Sequence, residues 1–204
     1  MYAIITDGSI SRYINHPKAV TIGDVQYPAK IFSAWTTSEL AAIGIIGVNF
    51  DNTNKKNEKW YINTNQTYTY DASAGTVTAT YGTATAKAHA DTLFSAQDET
   101  DGLGTEGDVK VEGLKTILIR TIKKQAAVIL QDTDWYVVRK ADAGTAVPSS
   151  ITTHRAAVRT KAAEMETAIT NASDTPALET LYTYTKQEDG SFTRPLGELP
   201  RLES

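Results

Sequence analysis

Cysteine is absent from this chain of 204 residues, which excludes disulfide staples and thiolate metal sites outright. Histidine is scarce. His16, His89 and His154 lie in separate segments, none with a His or acid partner at the i, i+4 spacing of a helical zinc site. Excess positive charge is missing too: the net charge of −4 argues against generic nucleic-acid binding, which needs a basic face to displace counterions. No window approaches the roughly 18 to 20 uninterrupted apolar residues that a helical membrane span requires. Residues 1–7 lack the basic and apolar regions of a signal peptide. No serine sits in a GxSxG elbow. The string Gly102-Leu103-Gly104-Thr105-Glu106-Gly107 matches GxGxxG, but no strand precedes it. Acids crowd it from Asp98 to Asp108, so a phosphate would meet Glu106. Asp71, Asp98, Asp101 and Asp108 are the carboxylates open to glycosidase pairing, and sequence spacing alone neither supports nor excludes it. The expectation is a protein that is not an enzyme, has no cofactor and no metal, and acts by binding other proteins.

What is present is an ordinary globular composition, 41% hydrophobic and 22% charged, whose character changes along the chain. The fold class expected is α+β: a small β-rich N-terminal part with a short helix, an antiparallel helix pair, and a C-terminal β-hairpin. The corresponding boundaries are a β-rich domain at 1–94, an acidic linker at 95–108, a helical hairpin at 109–172, and a mixed tail at 173–204.

In the first part, residues 2–6 and 9–13 flank Asp7-Gly8, the dipeptide a tight hairpin turn prefers. Thr36 and Glu39 have capping-box spacing, Trp35 and Leu40 can close a hydrophobic staple, and Gly44 supplies a helix stop. Residues 59–62, 66–70 and 76–81 are β-prone, with apolar and threonine positions alternating as in a sheet wet on one side. Tyr68 and Tyr70 in this region also suit a sugar-stacking face.

The helical part carries a clear apolar stripe at Leu114, Ile117, Leu118, Ile122, Ala126, Ile129 and Leu130. After a break at 144–148, Ile151, Val158, Ala162, Met165 and Ile169 step by 7, 4, 3 and 4. Two readings remain open: a helix pair packed inside one subunit, or a self-associating seam. His154 is expected at the surface or in a cap. Thr175-Pro176 reads as the start of a short helix, residues 182–186 and 191–193 flank Asp189-Gly190 as a hairpin, and Pro195 and Pro200 mark an exposed tail.

The segment Leu130-Gln131-Asp132-Thr133-Asp134-Trp135-Tyr136-Val137-Val138-Arg139 ends the first long helix in an L-x-x-T-D-W sequence. It continues through a Gly/Pro break into Pro148-Ser149-Ser150-Ile151-Thr152-Thr153-His154-Arg155-Ala156-Ala157-Val158-Arg159. This resembles the C-terminal helical segment of bacteriophage tail-fibre assembly and tail-fibre-associated proteins, where TDW is followed by a P…YR…R element. Here His154 stands where that element has an aromatic residue. The resemblance implies a structural component of the virion tail, in the fibre or baseplate region, with other phage tail proteins as partners and a homo-oligomer as an option. Alternatives are a tail-fibre assembly chaperone acting in the host cytoplasm and absent from the mature virion, or a host-glycan-binding module. Because Trp, Tyr and Arg dominate binding hot spots, the interface candidates are Trp135, Tyr136, Arg139, Arg155 and Arg159. Trp135 can either lock the two helices together or anchor a partner.

Overall fold

The computed structural model describes residues 1–64 and 66–202 and shows an α+β chain made of two compact units, Met1–Thr85 and Ala86–Ser204.

The first unit opens with the hairpin of β1 (Tyr2–Thr6) and β2 (Ser9–Ile14). Asp7 and Gly8 both take positive φ, 51° and 74°, the backbone that a two-residue turn matched to strand twist demands. A second hairpin, β3 (Val20–Ile22) and β4 (Val25–Tyr27), leads into the short helices α1 (Ile31–Ala34) and α2 (Thr37–Ala42). The expected capping box is formed: Thr36 Oγ1 accepts from the Glu39 amide, and the Glu39 carboxylate accepts from the Thr36 amide. Gly44 follows at φ 79°, where a Cβ would lie 2.7 Å from the Ile5 carbonyl oxygen, so only glycine lets the chain turn from α2 against β1. Then come β5 (Ile45–Asp51), β6 (Tyr61–Ile62), β7 (Thr67–Asp71) and β8 (Thr76–Thr80).

The sheet order is β2-β1-β5-β8-β7, antiparallel except for the parallel pair β5 and β8. Alternation along β1 sends Ile4 to one face and Ala3 to the other. On the first face Ile4, Ile14 and Ile45 pack with Val20, Ile31 and Leu40, and Trp35 completes that cluster as the staple residue. On the second, Ala3, Val48, Val77 and Ala79 are joined by Tyr68 and Tyr70. The rings of Tyr13 and Tyr68, from the two edge strands, stand 4.6 Å apart, so the sheet coils until its edges approach.

After β9 (Thr85–Ala86) at the boundary, the second unit contains β10 (Thr92–Leu93), α3 (Ala96–Thr100) and β11 (Val109–Val111). These precede α4 (Leu114–Gln131), α5 (Asp134–Ala143), α6 (Ser149–Asn171), α7 (Thr175–Tyr182), β12 (Thr185–Lys186) and β13 (Phe192–Thr193). Leu118, Ile122 and Ala126 of α4 are buried, as are Ile151, Val158, Ala162, Met165 and Ile169 of α6. Lys115 reaches the Thr170 carbonyl and Arg155 the Leu130 carbonyl, so α4 and α6 run antiparallel within one subunit.

Several boundaries differ from the sequence reading. The division between units falls at Thr85/Ala86, and residues 95–108 are not a linker between them. They form a closed excursion: Ser95 and Asp98 make a capping box, and Phe94 and Asp108 are joined at its base by a backbone hydrogen bond of 2.9 Å. Residues 109–111 pair with β10 instead of opening the helix. α4 begins only after Gly113, whose amide donates to Asp91 Oδ1 at 2.6 Å. The cap of α7 is Asp174, which accepts from the Ala177 amide; Thr175 is buried and donates to the Lys87 carbonyl. Tyr182 ends α7 rather than starting the hairpin, and the tail folds back, burying Leu196 to 2% exposure.

Candidate protein-docking surface

The α4 helix stops where Asp132 and Thr133 break its hydrogen-bond ladder, and Asp134 starts α5 with its carboxylate in the first turn, favourable to the helix dipole. Gly144, at φ 69°, closes α5 in the left-handed conformation common at helix ends. Between these points α5 buries no residue. A ten-residue helix is marginal by itself, so its position has to be imposed by something outside its own sequence.

That something is Arg155. Its residue exposure is 9%, and the guanidinium reaches across from α6 to the α4–α5 break. Nη1 donates to the Leu130 carbonyl and to Thr133 Oγ1, both at 2.7 Å, while Nη2 meets Asp134 Oδ1 at 2.8 Å. One planar fork thus fixes the last turn of α4, the buried Thr133, and the first residue of α5. The signal was in the sequence: Arg155 occupies the step between Ile151 and Val158 on the apolar stripe of α6, where a charge has to find partners.

With the break pinned, Trp135 stands at 51% exposure and does not lock α4 to α6. Its ring lies 4.1 Å from that of Tyr136, and the Arg139 guanidinium one turn on sits 4.5 Å above Trp135 and 5.4 Å from Tyr136. Arg139 Nε is enclosed without an acceptor among the described residues, so stacking rather than hydrogen bonding orients this guanidinium. Val137 and Val138 are exposed on the same helix. Beside the stack is a cleft of about 490 Å³, walled in part by Ile129, Asp132, Trp135, Tyr136, Ile151 and His154. His154 is buried at 8% exposure, not at the surface or in a cap: it shares the inward face of α6 with Ile151 and Arg155.

The structure therefore separates the five sequence candidates. Trp135, Tyr136 and Arg139 form one stack, in which Trp135 is exposed and Tyr136 and Arg139 are half-buried. Arg155 is turned inward and acts by holding that stack in place. Arg159 lies exposed on α6 with Nη1 at 3.5 Å from the Arg155 carbonyl, and no described contact joins it to Trp135.

Elsewhere, Tyr68 and Tyr70, the residues suited to sugar stacking, pack against the second sheet core, and the Tyr68 hydroxyl is bonded to Gln66. Asp71 and Asp98 each serve local structure: Asp71 holds the turn of the β7–β8 hairpin, and Asp98 caps α3 and pairs with Lys110 at 2.5 Å. Hydrogen bonding by Lys110, with that of Ser95, holds the Asp98 carboxyl down at about 2. Among the described residues no three acidic or histidine side chains converge as a metal site would require. No family model, curated protein or solved structure matches the chain.

Proposed function

We propose that this chain is a non-enzymatic bacteriophage tail protein, a structural component of the fibre or baseplate region that docks other tail proteins on α5. The observation that carries the docking role is the exposed Trp135, stacked with the half-buried Tyr136 and Arg139 on a helix with no fully buried residue. An aromatic pair under an arginine, next to a cleft, has the composition and shape of a binding hot spot. Docking would also supply the apolar burial that α5 lacks. The assignment to a phage tail rests on the likeness of residues 130–159 to the tail-fibre assembly family.

The test is Trp135→Ala in the phage that encodes the chain, with the purified variant studied in parallel. Removing a half-exposed side chain should cost the free protein less than about 1 kcal/mol. Removing a hot-spot Trp should weaken docking by about 2 kcal/mol or more, roughly thirty-fold. The expected result is a folded variant, by circular dichroism and thermal melting, that is missing from gradient-purified particles. An unfolded variant would make Trp135 a core residue, and normal incorporation would remove α5 from the interface. Wild-type protein found in lysate but never in particles would favour the assembly chaperone.

A further inference from the structure

The second unit carries two surfaces outside the α5 stack that complement each other. The first is a cleft of about 780 Å³ beside the second half of α4. Val128, Ile129, Met165 and Leu199 give it an apolar floor, and Val128 is left 62% exposed. Its charged walls are Lys124, Arg194 and Arg201 against the single acid Glu198. Arg194 and Glu198 neutralise each other at 2.8 Å, whereas Lys124 has no ion pair among the described residues.

The second surface is the excursion before α4. Between Asp91 and Glu112 the sequence holds seven acids and one lysine; Asp98 pairs with that lysine and Glu112 with Arg120, which leaves Glu99, Asp101, Glu106 and Asp108 without an ion pair among the described residues. The same segment exposes Leu93 (50%), Leu103 (61%), Val109 (47%) and Val111 (59%). An acidic knob with a bare apolar tip and edge matches a cationic cleft with a bare apolar floor in both respects.

The knob does not occupy its own cleft. None of residues 91–112 lines it, and Asp91 clamps the knob to the other end of α4 through Gly113 and Thr116. At about 1.5 Å per residue, the cleft residues of α4 stand about 12 to 24 Å along the helix from that clamp.

We propose that the cleft receives the acidic knob of a second copy of this chain. Two different patches meet, so the contact is head-to-tail and repeats into a ring where its rotation closes. The inference does not depend on the docking role given to α5, although its cleft shares Ile129 and Arg201 with the cleft beside Trp135.

Sedimentation velocity on the full chain tests it, with one variant altered in the cleft (K124E/V128E) and one in the knob (L103K/E106K), all at exposed positions. Wild type should self-associate as concentration rises, and less so at high salt. Each variant should associate at least roughly ten-fold more weakly, because like charges then face each other across the contact. An equimolar mixture of the two variants should associate more strongly than either variant alone, since the intact knob of one then meets the intact cleft of the other. W135A should associate as wild type. The proposal is overturned by a wild-type monomer at every concentration, by association that the cleft variant leaves intact, by a mixture that stays monomeric, or by loss of association in W135A.

Discussion

Replacing Arg155 by Met tests whether a single guanidinium sets the position of α5. Methionine keeps much of the apolar stem and removes the three polar contacts to Leu130, Thr133 and Asp134. The contributions do not add. The Leu130 carbonyl also accepts from the Thr133 amide at 3.1 Å, so it keeps a partner. The Asp134 side chain is 54% exposed, so water screens its ion pair and can solvate it once the pair is broken. What remains is the charge-assisted bonding of a guanidinium whose side chain is only 10% exposed, worth about 2 to 3 kcal/mol. Arg155→Ala adds a packing defect of about 1 kcal/mol or more. Lysine should recover less than half, because a point charge cannot reproduce the planar fork. Urea unfolding followed at 222 nm reads mainly α4 and α6, and amide hydrogen exchange reads α5 separately. R155M should lose α5 protection well before that of α4 and α6. A variant within about 0.5 kcal/mol of wild type, with α5 protection unchanged, would refute the pin.

In the first unit, Trp35 and Trp60 report unfolding by fluorescence once Trp135 is replaced by Phe. Thr36→Ala removes the side-chain acceptor from the α2 cap and should cost about 1 kcal/mol in that transition. Gly44→Ala and Gly75→Ala both put a Cβ at positive φ, a penalty of about 1 to 2 kcal/mol. Only Gly44 meets backbone, so G44A should be the more damaging; equal losses would show that the Ile5 carbonyl gives way. For the excursion, Asp98 has a depressed folded value of about 2 against an ordinary 3.8. Its stabilising contribution is complete above about pH 4 and lost as pH falls through about 2. Amide protection in residues 95–108, referenced to intrinsic exchange at each pH, should therefore fall over that window in wild type, and D98N should remove the Asp98 step; a step that persists in D98N would contradict the assignment.

What was legible in the sequence is what adjacent residues decide. Asp7-Gly8 specifies its turn by local backbone preference, Thr36 and Glu39 their box, and the stripe at Leu118, Ile122 and Ala126 its buried face. What was not legible depends on partners distant along the chain. The parallel pairing of β5 with β8 joins Val48 to Val77, and no local pattern announces it. Residues 95–108 have the composition of a linker, but the ladder of Thr92 with Val111 closes them into a fold. At the candidate site the residue types were legible and their roles were not. Trp135 reads first as a residue that locks the two helices together and second as an interface anchor, until the α4–α5 break is seen to turn it outward. Arg155 reads as an exposed hot spot until its place on the buried stripe of α6 is weighed.

The central claim is that Trp135, Tyr136 and Arg139 are covered by another tail protein in the assembled particle. Hydroxyl-radical footprinting read by mass spectrometry tests it most directly, on the purified chain and on gradient-purified particles of the encoding phage. The account predicts that the chain is present in particles and that oxidation of the exposed Trp135 falls sharply there relative to the free protein. A chain present in particles with Trp135 as reactive as in the free protein would contradict it.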